Sequence, residues 1–422
     1  MVNPRPTVQL RLADAGDLHM TWRWLNANAA YGTGYSPPER IAEPLGELTE
    51  ALPGSGSPER LRAAFAGALA SPESELRLMR RLAEVLWPKP LTEQLRQAND
   101  LGFRALVRLQ PSPRVAAVPW ELLAVDDEGT RLLDLADFVT AAPISLRAGK
   151  AVSETSRREN VPTAATTVYV LDPAVPGVGR GAGLGSVLGD VAADPQLTAF
   201  AERVIAAGDA APRVSEPVEL FRRGDLDRDW LGERLRAGAS RLFYVGHVTS
   251  AAVEGGQSED ARLHLACGAD TSGLAEAVRG HRPLSAKDLL LGDLPSKADG
   301  RAGGAIWPAP PRVALIGCES GGDTRFAESF GLASAMLHNG AELVTAAKWI
   351  LPTNLAFHRL GGIDPAERPL SSLIVAVDDA HAAADPIATL ADWQRERLAA
   401  WRASGALADA PLLWAALTSI VL

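Results

Sequence analysis

Two residues able to act together on a carbonyl group each close an apolar run. RVALIGC (312–318) ends on Cys318, and RLFYVGH (241–247) ends on His247. Runs of this kind suit strands buried in a parallel sheet, and open α/β sheets build their sites outside the carboxyl ends of such strands. If the two strands are neighbours, His247 draws the proton from Cys318, and a nucleophile with its base results. The loop Glu319 to Asp323 is expected to lead into a helix from about Thr324, with Phe326, Phe330, Ala333 and Leu337 as its buried stripe and Asn339-Gly340 as its C-cap. A helix N-terminus there would favour the thiolate. The plainer alternative is a small buried hydrophobe after a strand and a structural histidine.

Other patterns compete less well. Gly177, Gly179, Gly181, Gly183 and Gly185 follow the run TTVYVLD (166–172), but the intervening Pro173 to Pro176 breaks the tight strand-turn-helix of a dinucleotide site, and no Lys-Ser or Lys-Thr pair completes a phosphate loop. A loop flanking the cleft fits better. Ala327 to Gly331 has the outline of a hydrolase elbow, yet Ser329 falls inside the expected helix and not at a strand-to-helix turn. His264 and Cys267, three apart on an expected strand, point to opposite faces and are not read as metal ligands. The acid pairs Asp126-Asp127 and Asp378-Asp379 read as solvated turn or helix surface.

The elements that must position these residues alternate along the chain. TVQLRL (7–12) reads as a half-exposed strand, followed by a segment punctuated by Gly32, Gly34, Pro37 and Pro38; helices follow between about 58 and 100. FRALVRL (103–109), PWELL (119–123) and DFVTAAPISLR (137–147) read as strands of a small sheet. The polar, aperiodic stretch 148–164 reads as a linker between an N-terminal α/β half, 1–147, and a second half, 165–422. In the second half TTVYVLD, RLFYVGH, RLHLAC, RVALIGC and AELVTAAKWI alternate with helical stretches, the pattern of a largely parallel sheet flanked by helices. The apolar run from Leu412 to Leu422 should form a buried terminal strand.

The chain has 422 residues, 47% hydrophobic and 22% charged, with a net charge of −9. That is a globular balance, and the acidic excess with no basic run argues against nucleic acid or an anionic membrane surface as the primary partner. No apolar run approaches the roughly 18 residues that span a bilayer, and no secretory pattern opens the chain. Two cysteines make neither a disulfide framework nor an all-thiolate zinc site. A cytoplasmic protein is expected.

GHVTSA, PLSAKDLL (283–290), ALIGCESGG, FAESFGLASAMLHNGAELV with Lys348-Trp349, and PLLWAAL occur in that order, preceded by VPWELL (118–123). This series resembles the CHAT family of caspase-like proteins, relatives of separase, from about residue 80 to 422. The resemblance implies a caspase-like half carrying His247 as general base and Cys318 as nucleophile of a cysteine endopeptidase, behind a pseudo-caspase-like N-terminal half. It further implies an oxyanion hole of backbone N–H groups at Cys318 and Val248, no metal or organic cofactor, a protein substrate, and an activating protein partner in a bacterial stress or defence pathway. Asp172 would face the substrate as an acid favouring Arg or Lys, or else cap its own turn; the strand ending at Lys348-Trp349-Ile350 would pair with an extended substrate, with Trp349 alternatively core. Val248 stands where relatives carry glycine, and a β-branched residue tolerates few backbone conformations. That departure supports the second reading, a catalytically silent scaffold that binds a partner; mild changes fall at Gly317 and Ser320.

Overall fold

The computed structural model describes residues 5–25, 30–54, 58–143, 146, 166–177, 185–252, 256–294, 300–326 and 329–422. The expected linker 148–164 lies outside them, as do Gly179, Gly181 and Gly183.

An α/β fold is built on an 11-stranded, mostly parallel sheet. Its strands are β1 (Thr7–Ala15), β2 (Asp17–Trp24), β3 (Tyr31–Ser36), β4 (Ala105–Gln110), β5 (Ala136–Ala141), β6 (Thr166–Leu171), β7 (Ala210–Ala211), β8 (Ala239–Val245), β12 (Arg312–Ile316), β13 (Leu343–Ala347) and β14 (Leu417–Val421). A separate three-stranded sheet holds β9 (Val248–Thr249), β10 (Arg262–Leu263) and β11 (Leu284–Ser285). The large sheet runs β3-β2-β1-β4-β5-β14-β13-β12-β8-β6-β7. The C-terminal strand therefore joins its two parts, parallel to β5 (Ile420↔Thr140) and antiparallel to β13 (Val344↔Ile420).

Side chains alternate across the sheet and are buried on both faces. Tyr169, Leu171, Phe243, Val245, Ala314 and Ile316 pack in one core cluster, with helices Pro195–Ala207 and Pro369–Ala382. Val168, Val170, Leu242, Tyr244, Val313 and Leu315 pack in the other, with helices Arg228–Arg236, Ala286–Leu291 and Leu332–Asn339. This is period-2 alternation between two apolar faces, which explains why these strands read as continuous apolar runs.

Several expectations change. β2 and β3 pair antiparallel, with Trp22 opposite Gly32. A helix spans Pro38–Ala51, ahead of the expected helical region. PWELL is a 3-10 turn, Trp120–Leu122, rather than a strand; its side chains are buried by tertiary packing, not by pairing. RLHLAC pairs only at Arg262 and Leu263. PLSAKDLL gains its form from local capping: the Ser285 hydroxyl accepts from Asp288 N–H, and the Asp288 carboxylate accepts from Ser285 N–H in return, the reciprocal bonds of a capping box.

Candidate active site

β8 and β12 are adjacent and parallel, with Val245 opposite Ile316. Both strands therefore deliver their next residues to the same end of the sheet, Gly246-His247 beside Gly317-Cys318. The approach is close enough to exclude side chains: a Cβ on Gly317 would lie 2.4 Å from Val248 Cγ2 and 2.8 Å from the Gly246 carbonyl oxygen. The Gly246 N–H donates to the Ile316 carbonyl at 3.1 Å, so the two strand ends remain bonded up to the residues in question.

His247 is half-buried, and its Nε2 lies 2.7 Å from the carbonyl oxygen of Gly185. A carbonyl only accepts, so Nε2 carries a proton, and in the neutral form of the ring the lone pair falls on Nδ1. The carbonyl of His247 is fixed from behind by the buried Tyr244 hydroxyl (2.7 Å) and by His264 N–H (3.2 Å). That second bond makes the neighbouring Val248–Leu263 pair of β9 and β10 a non-hydrogen-bonded one, which turns the Val248 N–H away from β10. Val248 itself sits in a strand, the conformation a β-branched residue favours.

Cys318 is a half-buried free thiol. Burial pushes its pKa up, a hydrogen bond from Leu351 N–H opposes this, and the adjacent Glu319 carboxylate adds to the rise. The expected helix dipole at this position is absent. After Cys318 the chain makes a 3-10 turn, Gly322–Arg325, and the helix begins only at Leu332. Phe330 is exposed. The buried Asp323 carboxylate accepts from Ser334 N–H in the first turn of that helix (2.8 Å), and burial raises its pKa to about 6. Ser329 precedes the helix, donating to the Phe326 carbonyl, and so lies on no strand-to-helix elbow.

Glu319 ties the loops together. It adopts a left-handed backbone (φ 52), its carboxylate accepts from Ser250 Oγ and from Arg325 (2.9 Å), and its N–H donates to the Trp349 carbonyl (3.2 Å). The Trp349 side chain is core, 2% exposed, with its indole N–H on the Leu412 carbonyl (2.8 Å); its ring is thereby withdrawn from any substrate. Asp172 also has a left-handed backbone (φ 49) and is wholly buried, with Ser186 Oγ, Val187 N–H and Arg222 as partners of its carboxylate.

Beneath this end, His264 Nε2 meets Thr249 Oγ1 (2.8 Å) and its Nδ1 meets His281 Nε2 (2.9 Å). Desolvation holds His264 neutral, its pKa lowered to about 3. Its partners are therefore protein groups, and the buried Cys267 thiol is raised by burial. Among the described residues no group of three or more His, Cys, Asp or Glu could hold a metal ion, and no helix is long and apolar enough to cross a membrane. Of the acid pairs, Asp378 is not a surface group: it is buried against Arg241 (3.3 Å) and Tyr169 (3.0 Å). The sequence does not reveal the Gly185 carbonyl, Tyr244 or Glu319, whose roles arise from tertiary placement; the glycine-rich loop after β6 is the one local signal for Gly185.

No curated protein sequence matches the chain significantly. Among solved structures, a chain of the Saccharomyces cerevisiae separase-securin complex is similar at 10% identity and a TM-score of 0.42, over 99% of this chain and 30% of that one. The present chain thus spans about a third of that chain's length. The family model for the CHAT domain matches residues 76–358, well over half of the sequence and both strand ends that carry His247 and Cys318, and the chain belongs to the CHAT domain family.

Proposed function

We propose that the protein is a caspase-like cysteine endopeptidase in which Cys318 is the nucleophile and His247 the general base. The observation that carries this reading is the pairing of β8 with β12, which brings Gly246-His247 and Gly317-Cys318 to one sheet end, with His247 Nε2 bound by the Gly185 carbonyl. The residues between 165 and 422 are the catalytic half, and 1–147 support it. Cys318 attacks the peptide carbonyl while its proton passes to His247 Nδ1. The C–N bond then breaks, the leaving amine takes that proton, and water hydrolyses the thioester with His247 again as base. The N–H groups of Val248 and Cys318 receive the oxyanion. The orientation of the Val248 N–H, away from β10, supports that role.

Gating by a protein partner follows from the thiol. Burial pushes the Cys318 pKa up and disfavours the thiolate, so an event that opens the thiol to water or brings the imidazole closer would raise its reactivity. A bacterial stress or defence pathway and the cytoplasm, where both thiols stay reduced, are the proposed setting. The same raised thiol favours the second reading, a silent scaffold, for the chain without its partner.

The test is cleavage of a protein substrate together with iodoacetamide labelling of Cys318, using buried Cys267 as internal control. Cleavage abolished by Cys318→Ala, and labelling slowed by His247→Ala, are expected. Labelling of Cys318 no faster than Cys267, unchanged by His247→Ala and by candidate partners, would overturn the peptidase reading and leave the scaffold.

A further inference from the structure

Asp172 closes β6 in a left-handed conformation, and its N–H donates to the Val245 carbonyl at 2.6 Å. The carboxylate is thus anchored to the strand that delivers His247. Both of its oxygens are occupied from the chain itself: Oδ2 accepts from Ser186 Oγ, and Oδ1 accepts from Val187 N–H (3.2 Å) and Arg222 (3.4 Å). Ser186 Oγ accepts in turn from Gly189 N–H (2.8 Å) and Leu188 N–H (3.2 Å), which closes a turn over 186–189. The residue before that turn is Gly185, whose carbonyl meets His247 Nε2.

We propose that Asp172 is a positioning residue for the general base: its carboxylate holds the Ser186–Val187 turn so that the Gly185 carbonyl keeps the proton on His247 Nε2 and leaves Nδ1 to serve Cys318. This rests on the His247–Cys318 reading and assigns Asp172 a role other than facing a substrate cation. The reason is occupancy. A carboxylate with 0% exposure, two donors from one turn and an arginine counter-charge has no lone pair turned to an incoming lysine or arginine. It does reach the imidazole, through hydrogen bonds to Ser186 and Val187 and the covalent Gly185–Ser186 link to the carbonyl that meets His247. A backbone carbonyl on a glycine-flanked turn has no rigidity of its own, so an external anchor is what fixes the acceptor in place and with it the tautomer.

The test uses the full chain with Asp172→Ala and Ser186→Ala, read by the pH profile of Cys318 alkylation and by the ¹⁵N signature of the His247 tautomer. The wild type is expected to show the Nε2–H signature. Both variants are expected to mix the tautomers and to slow alkylation at pH 7 on the order of tenfold, a part of the roughly 100- to 10,000-fold that a general base supplies. Retention of the Nε2–H signature and the wild-type pH profile in folded Ser186→Ala would overturn the proposal, even where Asp172→Ala fails to fold. A change confined to preference for basic residues at the cleaved position, with alkylation intact, would overturn it in favour of a substrate-facing carboxylate. His247→Ala separates the two levels: if it leaves the wild-type profile unchanged, the dyad itself has failed, whereas a change in His247→Ala without one in Ser186→Ala rejects only the role of Asp172.

Discussion

At the seam where β5 meets β14, polar groups are paired off inside the core. Lys348 Nζ and Glu121 Oε1 lie 2.8 Å apart with both side chains 8% exposed, Asp137 receives Arg5 and Arg395, and the hydroxyls of Thr140 and Thr418 meet at 2.8 Å. The carboxyl ends of β6, β8 and β12 differ in exposure and in backbone conformation. His247 and Cys318 stay half-buried, and three of the left-handed non-glycine residues, Asp172, Arg222 and Glu319, cluster there. Each such residue costs about 1–3 kcal/mol, and the described residues of the seam contain none. One sheet thus carries a locked joint and a strained edge. The difference teaches that the joint supplies the rigidity against which the edge is held: Lys348 follows directly on β13 and precedes Trp349, whose carbonyl receives the residue after Cys318.

The sharpest way to break that contrast is at the joint. Glu121→Ala leaves the Lys348 ammonium buried without its carboxylate and should cost about 3–5 kcal/mol, read as a lower denaturation midpoint. It should also lower Cys318 reactivity, because the Trp349 carbonyl loses its support. Loss of stability with unchanged Cys318 labelling in the folded fraction would disconnect the two regions. Gly317→Ala attacks the edge: the new methyl meets Val248 and the Gly246 carbonyl, and the overpacking should cost about 1–3 kcal/mol, measured in the same denaturant titration, with β8 and β12 forced apart and Cys318 labelling altered.

Acidification gives the smallest expected effect. His264, under the edge, and His381, on Thr345 of β13, both have pKa values lowered to about 3 by burial. In the unfolded chain they take up protons near pH 6.5 and in the folded chain they do not. Their contribution is fully present above about pH 6.5 and is lost as pH falls towards 3, by about 1 kcal/mol per histidine for the first unit. Equilibrium melts at pH 7.5 and 5.5 should show a smaller loss in His264→Gln and in His381→Gln than in the wild type, the buried Asp323, with its pKa raised to about 6, contributing an opposite gain common to all three. A pH dependence unchanged by either variant would place the acid sensitivity elsewhere.

The strands β6, β8, β12 and β13 were legible because continuous Val, Leu, Ile and Tyr runs have few other uses in a chain of this composition. The positions of His247 and Cys318 at their ends followed directly. The pairing of β2 and β3 was hidden by Gly32 and Gly34, which read as punctuation although Gly32 lies under the Trp22 ring. The helix expected from Thr324 failed because apolar spacing says nothing of a buried aspartate, Asp323, that starts the helix at Leu332 instead. PWELL reads equally as strand or turn; its burial, with Glu121 on Lys348, comes from a partner 227 residues away.

By itself, then, the sequence determined the α/β class, the apolar strands and the residues that terminate them, since these rest on local periodicity and composition. Only the tertiary structure decided that β14 joins the two parts of the sheet, that Trp349 is core and Asp172 already paired, and that a carbonyl 62 residues from His247 selects its protonated nitrogen. Those outcomes depend on hydrogen bonds between distant segments, and a backbone carbonyl leaves no mark on residue type.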